Sequence, residues 1–156
     1  MHLIQNRRKG FSLIELVIVV VILGIIGAIA IPRMSRGASG AGESALIADL
    51  AALRNAIELY KAEHDGSFPT VAKFKEQLTT YTTSAGADQA TPDATHIYGP
   101  YLHAIPTLKV GSNKGNSGVA AADGAGVGWI YNETTGAINA NSSDVSSDGT
   151  TTYDQF

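Results

Sequence analysis

One run of residues limits what this chain can become. From Phe11 to Ile31 every position is apolar or glycine except Ser12 and Glu15, and Pro32 closes the run. A helix of that length covers roughly 30 Å, about the thickness of a bilayer's hydrocarbon core. Lipid offers a lone backbone no hydrogen-bond partners, so helix is the only single-segment solution there. An ionised carboxylate inside such a segment costs about 2.5–3.5 kcal/mol on the insertion scale, so Glu15 calls for a partner or a task. Ahead of the run stand Arg7, Arg8 and Lys9, a cationic cluster that favours a cytoplasmic N-terminus and an exported remainder. Arg33 and Arg36 on the far side weaken that preference without reversing it. A cleaved secretory signal with Ala28-Ile29-Ala30 as its processing site is the competing reading. The run is longer than the roughly 7–15 apolar residues of such a signal and contains an acid, which favours a retained helix.

The basic leader, Gly10, Phe11, the Ser12-Leu13-Ile14-Glu15 step and the apolar run ended by Pro32 closely resemble the N-terminus of type IV pilins and type II secretion pseudopilins. The resemblance implies that a prepilin peptidase cuts between Gly10 and Phe11 and N-methylates Phe11. It further implies that Glu15 meets the N-terminal ammonium of a neighbouring subunit during filament assembly. Opposite charges paired in a low dielectric offset desolvation that neither tolerates well alone. Gly24 and Pro32 fall where the family places its helix-loosening residues, and proline by itself removes a donor and crowds the preceding turn. The helix is therefore expected to kink or open near Ile31, and the resemblance implies that 24–32 loses helicity in the assembled filament.

Outside that segment, the 156 residues leave about 120 for an exported domain, enough for a modest core. There is no cysteine, so neither a disulfide framework nor a thiolate metal site is available. The formal charge is −3 with the basic leader included. An acidic exported domain matches phosphate backbones poorly, so no nucleic-acid partner is expected.

Gly37 to Gly42 holds three glycines in six residues and reads as a soft point or break. A helix then resumes near Glu43. Leu46, Leu50, Leu53, Ile57 and Tyr60 recur every four and three residues, the seam of an amphipathic helix that faces the protein's own sheet. Arg54, Glu58 and Lys61 lie off the seam, and Ile47 is a candidate contact to another subunit. His64-Asp65-Gly66 followed by Phe68-Pro69 supplies a stop signal, which sets the helix at 43–65. A short helix through Phe74 and Leu78 follows. Thr79 to Thr95 reads as loop, Tyr98-Gly99-Pro100-Tyr101 as an ordered turn, and Gly111 to Gly126 as too poor in large apolar groups to pack. Val127–Tyr131 and Ala137–Asn141 read as a β-hairpin across a loop containing Gly136, with Trp129, Tyr131 and Ile138 laid on the helix.

The expected fold is α+β: a long N-terminal helix packed on a small C-terminal antiparallel sheet. Its parts are a cleaved leader (1–10), a transmembrane and assembly helix (11–32) and an exported domain (33–156). That domain divides into the helix at 43–65, connecting loops at 66–126, the hairpin at 127–141 and a polar tail at 142–156.

The tail holds the one candidate metal site. Asp144, Ser146 and Asp148 place oxygens at alternate positions ahead of Gly149, as a calcium loop begins. Position twelve of such a loop is Gln155 here, where a bidentate glutamate is required. Resemblance to the major pseudopilins, which bind calcium in a C-terminal loop, favours the ion; the polar composition favours a solvated tail. No catalytic constellation is present. His64, His96 and His103 are scattered, and no zinc-protease, phosphate-loop or nucleophile-elbow motif occurs. His64 is expected at an exposed, polar helix end. Asn132-Glu133-Thr134 and Asn141-Ser142-Ser143 match a glycosylation sequon, a pattern common by chance.

Taken as a resemblance, the chain is a filament subunit most like the major pseudopilins of type II secretion systems, and not an enzyme. The implied partners are further copies of itself, a prepilin peptidase, an inner-membrane assembly platform with its ATPase, and minor pseudopilins. The implied location is the bacterial inner membrane, crossed once, with the domain outside the cytoplasm. A surface pilin for adhesion or motility, and a membrane-anchored monomeric binding module, are the alternatives.

Overall fold

The computed structural model describes residues 10–156, with side chains at 10–28 and 40–156. The leader residues 1–9 and the side chain of Pro32 lie outside that description. The chain divides into two units, 1–38 and 39–156. Helix α1, Leu13–Glu63, passes through both. It is followed by a 3₁₀ turn (Val71–Lys73), α2 (Phe74–Thr79), β1 (Tyr81–Thr82), β2 (Asp88–Gln89), β3 (Gly118–Ala120), β4 (Val127–Tyr131), β5 (Ile138–Ala140) and a 3₁₀ turn at Tyr153–Gln155.

In the first unit, α1 begins after Ser12 and presents its large apolar side chains to the outside. Phe11, Leu13, Ile14 and Leu16 through Leu23 are all exposed, as are Ile25 and Ile26. Among the described residues no helix is long and apolar enough to cross a membrane. The described side chains, Leu13 to Ala28, end before the apolar run does. In the single chain α1 is continuous through 24–32 and through Gly37–Gly42, so the expected break at the glycines is absent, while the loosening at 24–32 was expected of the assembled filament. A proline deletes a single helical hydrogen bond, and the helix on either side of Pro32 is long enough to carry that loss.

The second unit is built on the seam of α1. Leu46, Leu50, Leu53, Ile57 and Tyr60 are all buried, as their spacing requires, and Ala56 joins them. Trp129, Tyr131 and Ile138 enter the same core from the sheet, and Phe74 and Leu78 enter it from α2. The Phe74 and Tyr131 rings meet edge to face at 4.5 Å. Gly42 has a packing reason. A methyl group there would sit 3.2 Å from a Val110 methyl, so its absence lets that segment approach the helix closely.

The expected hairpin forms, with Trp129 opposite Ala140 and Tyr131 opposite Ile138. The sheet is not purely antiparallel, however. β3 lies parallel to β4, with a bulge between Gly118 and Val119. Parallel neighbours usually need a crossover of about a dozen residues or more. Here β3 is so short that residues 121–126 suffice to retrace it. This strand falls inside the stretch expected not to pack. Backbone pairing with β4 holds it, along with Leu108 N–H to Asn116 O at 2.8 Å, and its one larger side chain, Val119, packs partly buried against the core. The expected loop 79–95 likewise contains the β1–β2 antiparallel pair, closed by a Lys73–Asp88 ion pair at 2.6 Å. The Tyr98–Tyr101 turn has a cis Gly99–Pro100 bond, and the Tyr101 and Leu102 amides both donate to Leu78 O.

The helix ends at Glu63, two residues before the expected boundary. The Gly66 amide donates back to Lys61 O at 3.0 Å, with Asp65 and Gly66 both at positive φ. His64 is not an exposed helix end. It is 2% exposed, extends the seam by one further step of four, and stacks on Tyr60 at 3.7 Å between ring centres. Its Nδ1 lies 2.7 Å from Tyr60 O and its Nε2 3.0 Å from Thr82 Oγ1. A carbonyl only accepts, so Nδ1 carries the proton and Nε2 accepts from the threonine.

Candidate functional site

The start of α1 is the first place where sequence and geometry meet. Gly10 and Phe11 are exposed, Phe11 at 87%. Ser12 stands just before the first helical residue, and its amide donates to Glu15 Oε2 at 2.8 Å. The Leu16 amide donates to Ser12 O at 3.2 Å, the first bond of the helical ladder. A serine at the cap with a glutamate three residues later, its carboxylate reaching back to the cap amide, is the glutamate half of a capping box. Glu15 thus satisfies a helix-end donor of its own chain. Its charge sits at the end of the helix where the macrodipole favours an anion. Sequence reading singled out Glu15 for its charge and missed this local role, although Ser-x-x-Glu before an apolar run is its written signature. Gly24 is exposed, and no described atom lies within 4 Å of where its side chain would be.

The second place is the tail, whose residues 143–150 are mostly exposed, as expected, yet are tied to the rest of the chain by hydrogen bonds. Asp144, Ser146 and Asp148 do not converge as a calcium loop would have them. Asp144 Oδ2 accepts from the Ser112 amide and from the Ser142 hydroxyl. The Ser112 amide contributes most to holding its carboxyl below the ordinary carboxylate range. Asp148 folds onto its own turn. It accepts from the Ser146 hydroxyl, the Thr150 and Thr151 amides and the Thr151 hydroxyl. Those donors, led by the Thr151 hydroxyl, push its pKa strongly down. Three of these four donors converge on Oδ1, and the Thr151 hydroxyl alone reaches Oδ2. The hydrogens on Oδ1 stand where a cation bound through that oxygen would have to sit. Among the described residues no three His, Asp or Glu side chains gather as an ion would need. The donor set therefore does not fit calcium.

Two α1 side chains hold the tail. Glu43 accepts from the Ser147 amide and hydroxyl, each at 2.6 Å, and from the Tyr153 hydroxyl at 3.2 Å. The Ser147 hydroxyl is the leading cause of its lowered pKa. Burial and the nearby Glu43 raise that of Tyr153. Arg54 donates to Ile138 O at 3.2 Å and Phe156 O at 2.7 Å. Gly111, at φ 71°, lies against Ser142 so closely that a Cβ would collide with that side chain. Long-range acceptors such as Glu43, 104 residues from Ser147, leave no periodic signal in a sequence.

Of the two sequons, Asn132 is exposed and accepts from the Thr134 and Thr135 amides. Asn141 is buried, and its amide group donates to Asp123 and to Val127 O.

A helix that is apolar at its start, amphipathic further on and opened by a Ser–Glu cap, followed by a small sheet, agrees with the α+β architecture expected from the sequence. Residues 5–31 match the family described as the prokaryotic N-terminal methylation motif. More particularly, the chain is similar to the type II secretion system core protein G of Aeromonas hydrophila, 29% identical over 93 residues. That match covers 60% of this chain and 64% of the relative, so the chain spans a little under two thirds of the relative's length. No solved structure matches.

Proposed function

We propose that the chain is the structural subunit of a pilin-like helical filament, in the role of the major pseudopilin of a type II secretion system. The observation that carries this reading is the first unit, where apolar side chains from Phe11 to Ile26 are exposed together. A patch of that extent demands a covering of lipid or of other copies. The methylation motif and the likeness to core protein G support the same reading from the sequence side.

In this reading the peptidase cuts after Gly10 and methylates Phe11, and the new ammonium arises beside the helix end to which Glu15 is already bonded. The helix waits in the inner membrane with the domain outside the cytoplasm. An assembly platform powered by its ATPase then adds subunits by head-to-tail contacts that do not close into a ring. Glu15 meets the Phe11 ammonium of the neighbouring copy, the rod pushes exported protein outward, and minor pseudopilins accompany it. Cleavage and ATP hydrolysis belong to the partners, so the chain is a substrate of that machinery and not an enzyme.

N-terminal sequencing of the protein purified from membranes tests the reading. It is expected to begin at N-methylated Phe11. A chain beginning at Ile31 would overturn the proposal, since the apolar segment would have been discarded. Surface fibres on expressing cells would move the role from secretion to a type IV pilus.

A further inference from the structure

The tail poses a separate question from the filament, because its loop offers alternate oxygens yet does not fit a calcium ion. We infer that Glu43 is the clasp of the C-terminal segment, a resident carboxylate of α1 that fixes residues 144–153 where a bound cation would otherwise be needed. The geometry has three parts. Glu43 takes both hydrogen-bond donors of Ser147 and the Tyr153 hydroxyl, so one side chain spans the turn between them. The turn is closed internally by the pairing of Val145 with Thr152 and by Asp148, which accepts from four local donors, three of them on Oδ1. Asp144 is turned away toward Ser112 and so ties the tail to the 111–112 loop instead of facing Asp148.

Charge explains why this arrangement excludes the ion it resembles. A calcium site brings several carboxylates together and relies on the cation to offset their repulsion. Here each carboxylate is separately neutralised in effect by N–H and O–H dipoles, which form shorter and stronger bonds to an anion than to a neutral acceptor. A cation bound through Asp148 Oδ1 would first have to displace the Thr150 and Thr151 amides from it. Glu43 acts as a positioning residue. It touches no ligand and works by fixing the tail.

Hydrogen exchange and thermal melting of the full chain in detergent micelles test the inference. Addition of calcium or of a chelator is expected to move the melting midpoint by no more than about 1 °C. Glu43→Ala is expected to speed exchange of the Ser147 amide by about tenfold or more, with no rescue by calcium, while core amides on β4 keep their protection. Should Glu43→Ala not fold, Ser147→Ala serves instead. It leaves the helix intact, removes only the hydroxyl donor, and is expected to raise exchange across 150–153. A midpoint that climbs several degrees with calcium and loses that response in Asp148→Asn would overturn the inference. So would unchanged tail exchange in both variants. Neither result bears on processing at Gly10, so failure here and failure of the filament reading are distinguishable.

Discussion

The two stretches of α1 solve the same problem in opposite ways. Between Glu43 and Glu63 the apolar residues fall on one seam, and the chain's own sheet covers them. Between Phe11 and Ile26 the apolar residues go all the way round, and nothing in the described chain covers them. A helix hydrophobic on every side belongs in a membrane or in the middle of an assembly. One stretch is therefore complete within a single molecule, and the other is complete only in company.

Truncations should separate the two stretches most sharply. Leu53→Ala, in the fully buried seam, is expected to cost about 2–5 kcal/mol of domain stability in denaturant titration. Ile18→Ala is expected to leave that titration unchanged and to act only on assembly. Equal losses from both would break the contrast. A smaller effect is expected at the seam's end, where His64→Phe keeps the stack on Tyr60 but strands Thr82 Oγ1 and Tyr60 O. Its expected cost is about 1–3 kcal/mol. The smallest is a gain. Asp49 has a buried oxygen without a partner, and burial raises its pKa. Asp49→Ala should stabilise the domain by roughly 0.5–1 kcal/mol, through better helix propensity and removal of the unpaired group.

What was legible in the sequence was periodic or compositional. The seam from Leu46 to Tyr60, the hairpin at Trp129 and Ile138, and the apolar run were plain because burial imposes spacing on them. The capping interaction at Ser12 and Glu15 was written just as plainly, but the unusual charge drew attention away from it. His64 was misjudged from its acidic neighbours, although one more step of four along the seam pointed inward. Other features left no such trace. β3 is held by backbone pairing, which any side chain allows, and the glycines at 37–42 yield to the helix on either side of them. The tail's anchors join residues a hundred positions apart, and no local pattern encodes which distant donor a glutamate will meet. The calcium-like spacing at 144, 146 and 148 was real in sequence, yet Asp144 bonds to Ser112 and Ser142 while Ser146 bonds to Asp148.

The central claim is that Glu15 serves assembly by its charge and not merely by capping its own helix. Glutamine at the same position also completes a capping box. Filament formation by Glu15→Gln, scored by crosslinking or electron microscopy with processing checked in parallel, therefore isolates the charge. The account predicts that this variant is cleaved after Gly10 and remains unassembled, and the same outcome is expected of Glu15→Ala. Normal filaments from Glu15→Gln, with only Glu15→Ala defective, would contradict it and leave Glu15 a helix cap alone.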